Sequence, residues 1–189
     1  MLLAICGKSG TGKSAIVKEL INRGYKKIVT DTTRPMRKGE VNEVDYYFDT
    51  DEEFDELLAE GEFIENTSYK VATGDIWRYG TTKGAIAEAD GKAVIILNPD
   101  GLKAFRAKQI PMKVVLINSN ETLILLRLQK RGDIKSEILR RMEKDEKDFL
   151  GLHDLIDYEI QNDKHASIAG MAKMIDEYYT EELENGLSS

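Results

Sequence analysis

The stretch Gly7-Lys8-Ser9-Gly10-Thr11-Gly12-Lys13-Ser14 decides how the rest of the chain is read. It fits the pattern G-x-x-x-x-G-K-[ST], and its flanks suit that pattern. Leu2-Leu3-Ala4-Ile5-Cys6, just before it, is a continuous apolar run of buried-strand length. After it, Ile16, Val17, Leu20 and Ile21 fall on one face of a helix from Ser14 to Arg23. A strand feeding a glycine loop and then a helix leaves several backbone N–H groups pointing into one concavity. The helix N-terminus adds partial positive charge there. Gly7, Lys8, Ser9, Gly10, Thr11, Gly12, Lys13 and Ser14 are therefore the candidate triphosphate seat. Lys13 would reach the β- and γ-phosphates, and the Ser14 hydroxyl would sit on Mg²⁺. A glycine-rich turn with an incidental lysine is the plainer alternative, and the strand and helix flanks weigh against it.

Working outward, 189 residues at 41% hydrophobic composition can bury a sizeable core as one domain. A net charge of −7 argues against a nucleic-acid-binding surface, yet a local arginine cluster can still hold a small anion. The only cysteine is Cys6, inside the first apolar run, which points to a reducing compartment without a disulfide framework. The first residues lack a basic n-region and their apolar run stops at the glycine loop, so a signal peptide is not expected. No run approaches the length of a membrane span. The expectation is a cytoplasmic protein with no membrane and no nucleic-acid partner, monomer or homodimer.

Apolar strands and helices alternate along most of the chain. Strands are expected at 26–30, 93–97, 112–117 and 158–160, with helices at 82–90, 101–108, 120–130, near 135–149, and 166–179; residues from Thr180 on read as a polar tail. This alternation around the glycine loop implies a parallel sheet with helices on both faces. Residues 31–80 break it. A polar loop (31–40), an aromatic strand (45–48), an acidic helix (51–60), a strand (62–65) and a suspected hairpin (66–80) suggest a small inserted lobe facing the phosphate site. Tyr69 and Trp77 read as packing for that lobe ahead of stacking on a base, and Met171 and Met174 as helical core. His153 and His165 read as ordinary surface or helix residues.

A second constellation sits in that break: Thr32-Thr33-Arg34-Pro35-Met36-Arg37-Lys38-Gly39-Glu40, then Asp45-Tyr46-Tyr47-Phe48. Two arginines in a proline-containing loop can fork a phosphate, because guanidinium is planar, always charged and bidentate toward phosphate oxygens. A tyrosine hydroxyl adds a neutral donor. A solvated basic turn is the bland alternative, but the glycine loop earlier in the chain makes two phosphate-sized seats the better account.

With these residues in view, the chain resembles the guanylate kinases. That family carries a P-loop and then T-T-R-x-P-R-x-G-E with a downstream Y-x-F; here Pro35 and Met36 stand exchanged. Phe63-Ile64-Glu65, Tyr79-Gly80-Thr81, the series Arg127-Leu128…Arg131-Gly132…Arg140-Arg141-Met142 and a late Asn162-Asp163 also match in order, from about residue 3 to 178. The resemblance implies an α/β P-loop NTPase three-layer fold with a central parallel sheet. It implies a single domain over 1–189: a core of about 1–30 and 81–180, an inserted nucleoside-monophosphate-binding lobe of mixed α/β structure at about 31–80, and a helical lid at about 127–145.

The same resemblance implies ATP-dependent phosphoryl transfer to GMP, and to dGMP, with Mg²⁺. Arg34, Arg37, Tyr46 and Tyr79 would hold the acceptor's phosphate, and Glu65 would accept from the guanine N1–H and amine. Adenine offers an acceptor at N1, so that carboxylate would face a lone pair. Thr30, Thr81 and Asp100 are further GMP-side candidates, and Asn162 an ATP-side one. Lys13, Arg127, Arg131 and Arg141 would gather on the transferring phosphoryl group; Arg127 and Arg131 fall i, i+4 on one helical face. The family's D-x-D segment reads Asn98-Pro99-Asp100 here, the stretch between Glu65 and Tyr79 is a few residues longer, and the lid is about one residue shorter. A kinase for another phosphorylated acceptor, such as ribose 1,5-bisphosphate or a different nucleoside monophosphate, and a non-catalytic binding module are the competing readings. The acceptor phosphate is already anionic, so no general base is expected, and the lobe and lid are expected to close over both nucleotides.

Overall fold

β1 (Leu2–Cys6) is buried along its whole length and lies at the centre of a parallel sheet. The computed structural model describes residues 1–187. β7 (Ala93–Ile96) pairs with β1 on one side and β8 (Met112–Asn118) on the other. β2 (Lys26–Lys27) and β9 (Tyr158–Gln161) form the edges, giving the order β2-β7-β1-β8-β9 with every pairing parallel. Alternation along β1 builds two cores at once, since successive side chains leave opposite faces. Leu3 and Ile5 pack with Ile16, Val17 and Leu20 of α1 (Lys13–Asn22) and with Met171 and Ile175 of α7 (Ile168–Leu187). Leu2, Ala4 and Cys6 face the other way, onto Leu102 and Phe105 of α4 (Pro99–Ala107). That is the α/β fold expected, a parallel sheet between helical layers.

Several boundaries differ from the expectation. Ile21, placed on the shared helical face, and Met174, read as core, are exposed, because each sits at the margin of its helix's apolar stripe. α7 continues through Leu187 where a tail was expected, and a Lys113–Glu182 ion pair ties the extension to β8; residues 188–189 lie outside the described part. α4 begins at Pro99, two residues early, for a legible reason: Asn98 is the N-cap, accepting from the Gly101 N–H at 2.7 Å, and proline suits the first helical position. The altered Asn98-Pro99-Asp100 segment is thus a helix start.

The chain leaves the central sheet after β2. The strand expected over 26–30 stops at Lys27, although the Ile28 N–H still donates to the Val94 carbonyl. β3 (Asp31–Thr32), inside the expected loop, opens a second sheet. β4 (Tyr47–Phe48) runs parallel to β3, while β6 (Ile76–Thr82) is antiparallel to both β3 and β5 (Phe63–Lys70); the order is β4-β3-β6-β5. The suspected hairpin is β5 and β6. α2 (Asp51–Ala59) starts on a Thr50/Glu53 capping box and stacks Phe54 on Phe63, ring centroids 4.4 Å apart. On its exposed acidic face, Asp51 and Asp55 both accept from Arg78. After α3 (Lys83–Ala87), the remaining helices, α5 (Glu121–Arg131) and α6 (Lys135–Asp148), meet through Ile124, Leu128 and Ile138.

Candidate active site

The two sheets, the glycine loop and α6 enclose a cleft of about 460 Å³. Its floor is the loop from β1 to α1. Gly12 caps α1 with φ +98°, and a Cβ there would lie 2.4 Å from Asn162 Nδ2; Gly7 is equally constrained, a Cβ meeting the Ile117 carbonyl oxygen at 2.3 Å. Glycine is required at both positions because the loop lies against its neighbours with no room for a side chain. Lys13 Nζ curls over the loop and donates to the Gly7 and Lys8 carbonyls at 2.6 and 2.8 Å. Ser14 is exposed at the start of α1, and among the described residues its hydroxyl has no partner.

Opposite the loop stands the arginine seat. Arg34 is 2% exposed and held in a two-pronged bond by Glu40, at 3.0 and 2.9 Å, and its guanidinium lies 5.4 Å from the Tyr46 ring centre. Tyr46 meets Tyr79 edge-on, centroids 6.2 Å apart. Arg37 follows on the same loop, its backbone N–H bonded to Glu40. Arg131 and Arg141 enter from α5 and α6. Burial and then the crowding of Arg131, Arg34 and Arg141 bring Arg37 down to about 10. Burial also lowers Lys13 to about 8, with Arg131 and Arg141 pushing the same way and Asp145 opposing. Cations that depress one another across an open cleft form a site that an anion would relieve.

Glu65 lies at the far end. The β5–β6 register shifts between Phe63 and Glu65, a bulge that sets Glu65 opposite Thr81, whose hydroxyl donates to Oε1 at 2.7 Å. Burial raises the Glu65 carboxyl, and the Asp100 charge adds to that.

Of the residues predicted from sequence, Gly7, Ser9, Gly10, Gly12, Lys13, Ser14, Thr30, Arg34, Arg37, Tyr46, Glu65, Tyr79, Thr81, Arg127, Arg131 and Arg141 line this one cleft. Four do not. Lys8 pairs with Glu146 of α6, and Thr11 is buried with its hydroxyl on the Lys8 carbonyl. Asn162 lies behind the loop, donating to the Thr11 carbonyl at 2.7 Å. Asp100 is exposed on the first turn of α4, near enough to act on Glu65 by charge only. Arg127 also departs from its expected company. Helical spacing brings it to the same cleft as Arg131, but its guanidinium bonds Ser119 and Asn162 at 3.0–3.2 Å, while Arg131 turns to Asp133. The fork thus braces the glycine loop through Ser119 and Asn162.

Some cleft residues were not foreseen. Asp145 accepts from the Ser9 N–H at 2.6 Å, and Trp77, Tyr69, Lys144 and Asp148 line the wall. The i, i+4 spacing of Asp145 from Arg141 put both on one helical face, but only the approach of α6 to the loop gives that face a meaning. His153 and His165 are exposed, outside the cleft, as read.

A parallel sheet whose central strand runs into a glycine loop, facing a second seat of arginine and tyrosine, defines a P-loop phosphotransferase. The family model described as guanylate kinase matches residues 1–178. A guanylate kinase of Lactobacillus delbrueckii subsp. bulgaricus is 33% identical over 184 residues, covering 93% of this chain and 87% of that one. One of Schizosaccharomyces pombe is 35% identical over 150 residues, covering 75% and 72%. The crystal structure of guanylate kinase from Anaplasma phagocytophilum superposes with a TM-score of 0.68 at 22% identity, covering 96% of this chain and 85% of that one, and shares the fold. The chain belongs to the guanylate kinase family.

Proposed function

We propose that the cleft transfers the γ-phosphoryl group of ATP to GMP, giving ADP and GDP, with dGMP as a second acceptor. The observation that carries this reading is the single cleft shared by a backbone-amide seat with Lys13 and a side-chain seat with Arg34, Arg37, Tyr46 and Tyr79, ending at Glu65. The amides of Gly10 and of 12–14 would bind the donor's phosphates, and Arg34 and Arg37 those of the acceptor. Lys13, Arg131 and Arg141 would face the charge that spreads over the transferring phosphoryl oxygens. Little covalent work falls to the protein, so holding two polyanions in line dominates. Glu65, already bonded to the Thr81 hydroxyl, keeps its other oxygen for the two donors of the guanine edge.

Mg²⁺ suits the residues present. It keeps several waters, takes oxygen ligands and is held largely by nucleotide phosphates. The unpartnered Ser14 hydroxyl offers one such oxygen, and among the described residues no group of three or more His, Cys, Asp or Glu forms a cage for a metal. When bound, the ion would neutralise charge on the β- and γ-oxygens. No helix among the described residues is long and apolar enough to cross a membrane. The lone Cys6 is a buried free thiol, which supports a reducing, cytoplasmic setting.

An ADP-release assay across GMP, dGMP, AMP, UMP, CMP and ribose 1,5-bisphosphate tests the proposal. GMP and dGMP should dominate; preference for another acceptor, or turnover with none, refutes it.

A further inference from the structure

The β5–β6 hairpin does more than close the base end of the cleft. Tyr69 and Trp77 are directly opposed across its two strands, so their rings share one face. That face meets three positions of α6, residues 137, 141 and 144, spaced as one helical stripe. Lys144 Nζ stands 5.2 Å from the Tyr69 ring centre and the Arg141 guanidinium 5.6 Å from that of Trp77, both within cation–π range. One turn of α6 before Arg141, the hairpin turn donates the Ala72 N–H to Glu137 Oε2 at 3.0 Å. Glu137 in turn accepts from Arg141 Nε at 2.6 Å. The Arg141 fork is therefore fixed from two sides, by a carboxylate on its own helix and by an indole from the other sheet. Its Nη1 lies 4.0 Å from Asp133 Oδ2, and the residue lines the same cleft as Lys13. The turn itself is braced, with Val71 buried and its N–H on the Asp75 carbonyl at 2.9 Å.

We propose that Trp77 is a positioning residue for Arg141, and that the 69–77 hairpin sets the angle at which α6 presents that arginine to the transferring phosphoryl group. The proposal rests on the phosphoryl-transfer reading of the cleft. On this reading the contact of Trp77 that matters for turnover is with Arg141, 5.6 Å from its ring centre, and not with a base. A base-stacking role would act on acceptor binding; a positioning role acts on the step in which charge develops.

Steady-state kinetics of the full chain with ATP and GMP separate the two. Trp77→Leu should lower kcat about tenfold while both KM values stay within about threefold, and Trp77→Phe, which keeps an aromatic face, should recover most of the loss. Ala72→Pro, which removes the N–H that Glu137 accepts, should lower kcat in the same direction. A raised KM for GMP at unchanged kcat, or no change at all, overturns the proposal. Trp77 is the only tryptophan, so its emission reports the contact without turnover. Arg141→Met should shift that emission in the ligand-free protein, and an identical spectrum counts against the contact even where Trp77→Leu fails to fold. Wild type without GMP turnover defeats the function proposed above. Wild-type turnover that Trp77→Leu leaves intact defeats only this inference.

Discussion

The two proposed anion seats are built from different materials. The glycine-loop seat is backbone: its amides are aimed by left-handed glycines, and it is pinned from behind by Asn162 on the Thr11 carbonyl and by Arg127 on Asn162. The facing seat is side chain, drawn from the 34–46 loop, β6, α5 and α6, and each cation there is held by a carboxylate, Glu40 for Arg34, Asp133 for Arg131, Glu137 for Arg141. A backbone seat is fixed once the strand and helix form. A side-chain seat exists only while separate elements stay docked, so it suits the part of an enzyme that closes.

That contrast can be broken from either side. Lys13→Ala, which removes the one side-chain charge of the backbone seat, should cost about three orders of magnitude in kcat/KM in the ADP-release assay. Arg141→Met should lower kcat by about a hundredfold with the ATP KM little changed, whereas Arg127→Met, which removes the brace on Ser119 and Asn162, should mainly raise the ATP KM; equal effects from both would erase the distinction. Glu65→Gln should raise the GMP KM by about tenfold or more and narrow the gap between GMP and AMP.

The pH dependence sharpens it further. Lys13 sits at about 8 in the free protein, so kcat/KM for ATP should fall as pH rises through that value, where the ammonium loses its proton. Bound phosphates favour the charged form, so kcat should hold to higher pH. The facing lobe carries a titration of its own. Burial and then the neighbouring Asp49 raise Asp31 to about 7, and one oxygen of each carboxyl is buried without a partner among the described residues. The folded state favours the protonated acid, so this contribution is complete below the ordinary aspartate value and is lost as pH rises through about 7. Asp31→Asn should therefore raise Tm by a few degrees at pH 8 and by less at pH 5, read by thermal unfolding at both.

The same contrast explains what could be read from sequence. The backbone seat was legible because a contiguous motif carries it, with β1 apolar on both faces as a central parallel strand must be. Arg34, Arg37 and Tyr46 were legible for a similar reason, since one short loop and one strand hold them. What stayed hidden depends on how distant elements dock. Nothing in the local pattern of Trp77 says that its ring meets Arg141, or in that of Asp145 that it meets the Ser9 amide. Arg127 and Arg131 show the limit of periodicity: helical spacing gave them a common face but not common partners. Asn98-Pro99-Asp100 was readable as a cap followed by a first-turn proline, and taking it for a modified acidic loop concealed the start of α4.

The central claim is that both seats belong to one cleft, and a competition titration tests it most directly. A bisubstrate in which adenosine and guanosine are joined through a polyphosphate should bind one per chain and abolish binding of both a non-hydrolysable ATP analogue and GMP. If GMP still binds with unchanged affinity to the protein saturated with the bisubstrate, the seats are separate sites and the account is wrong.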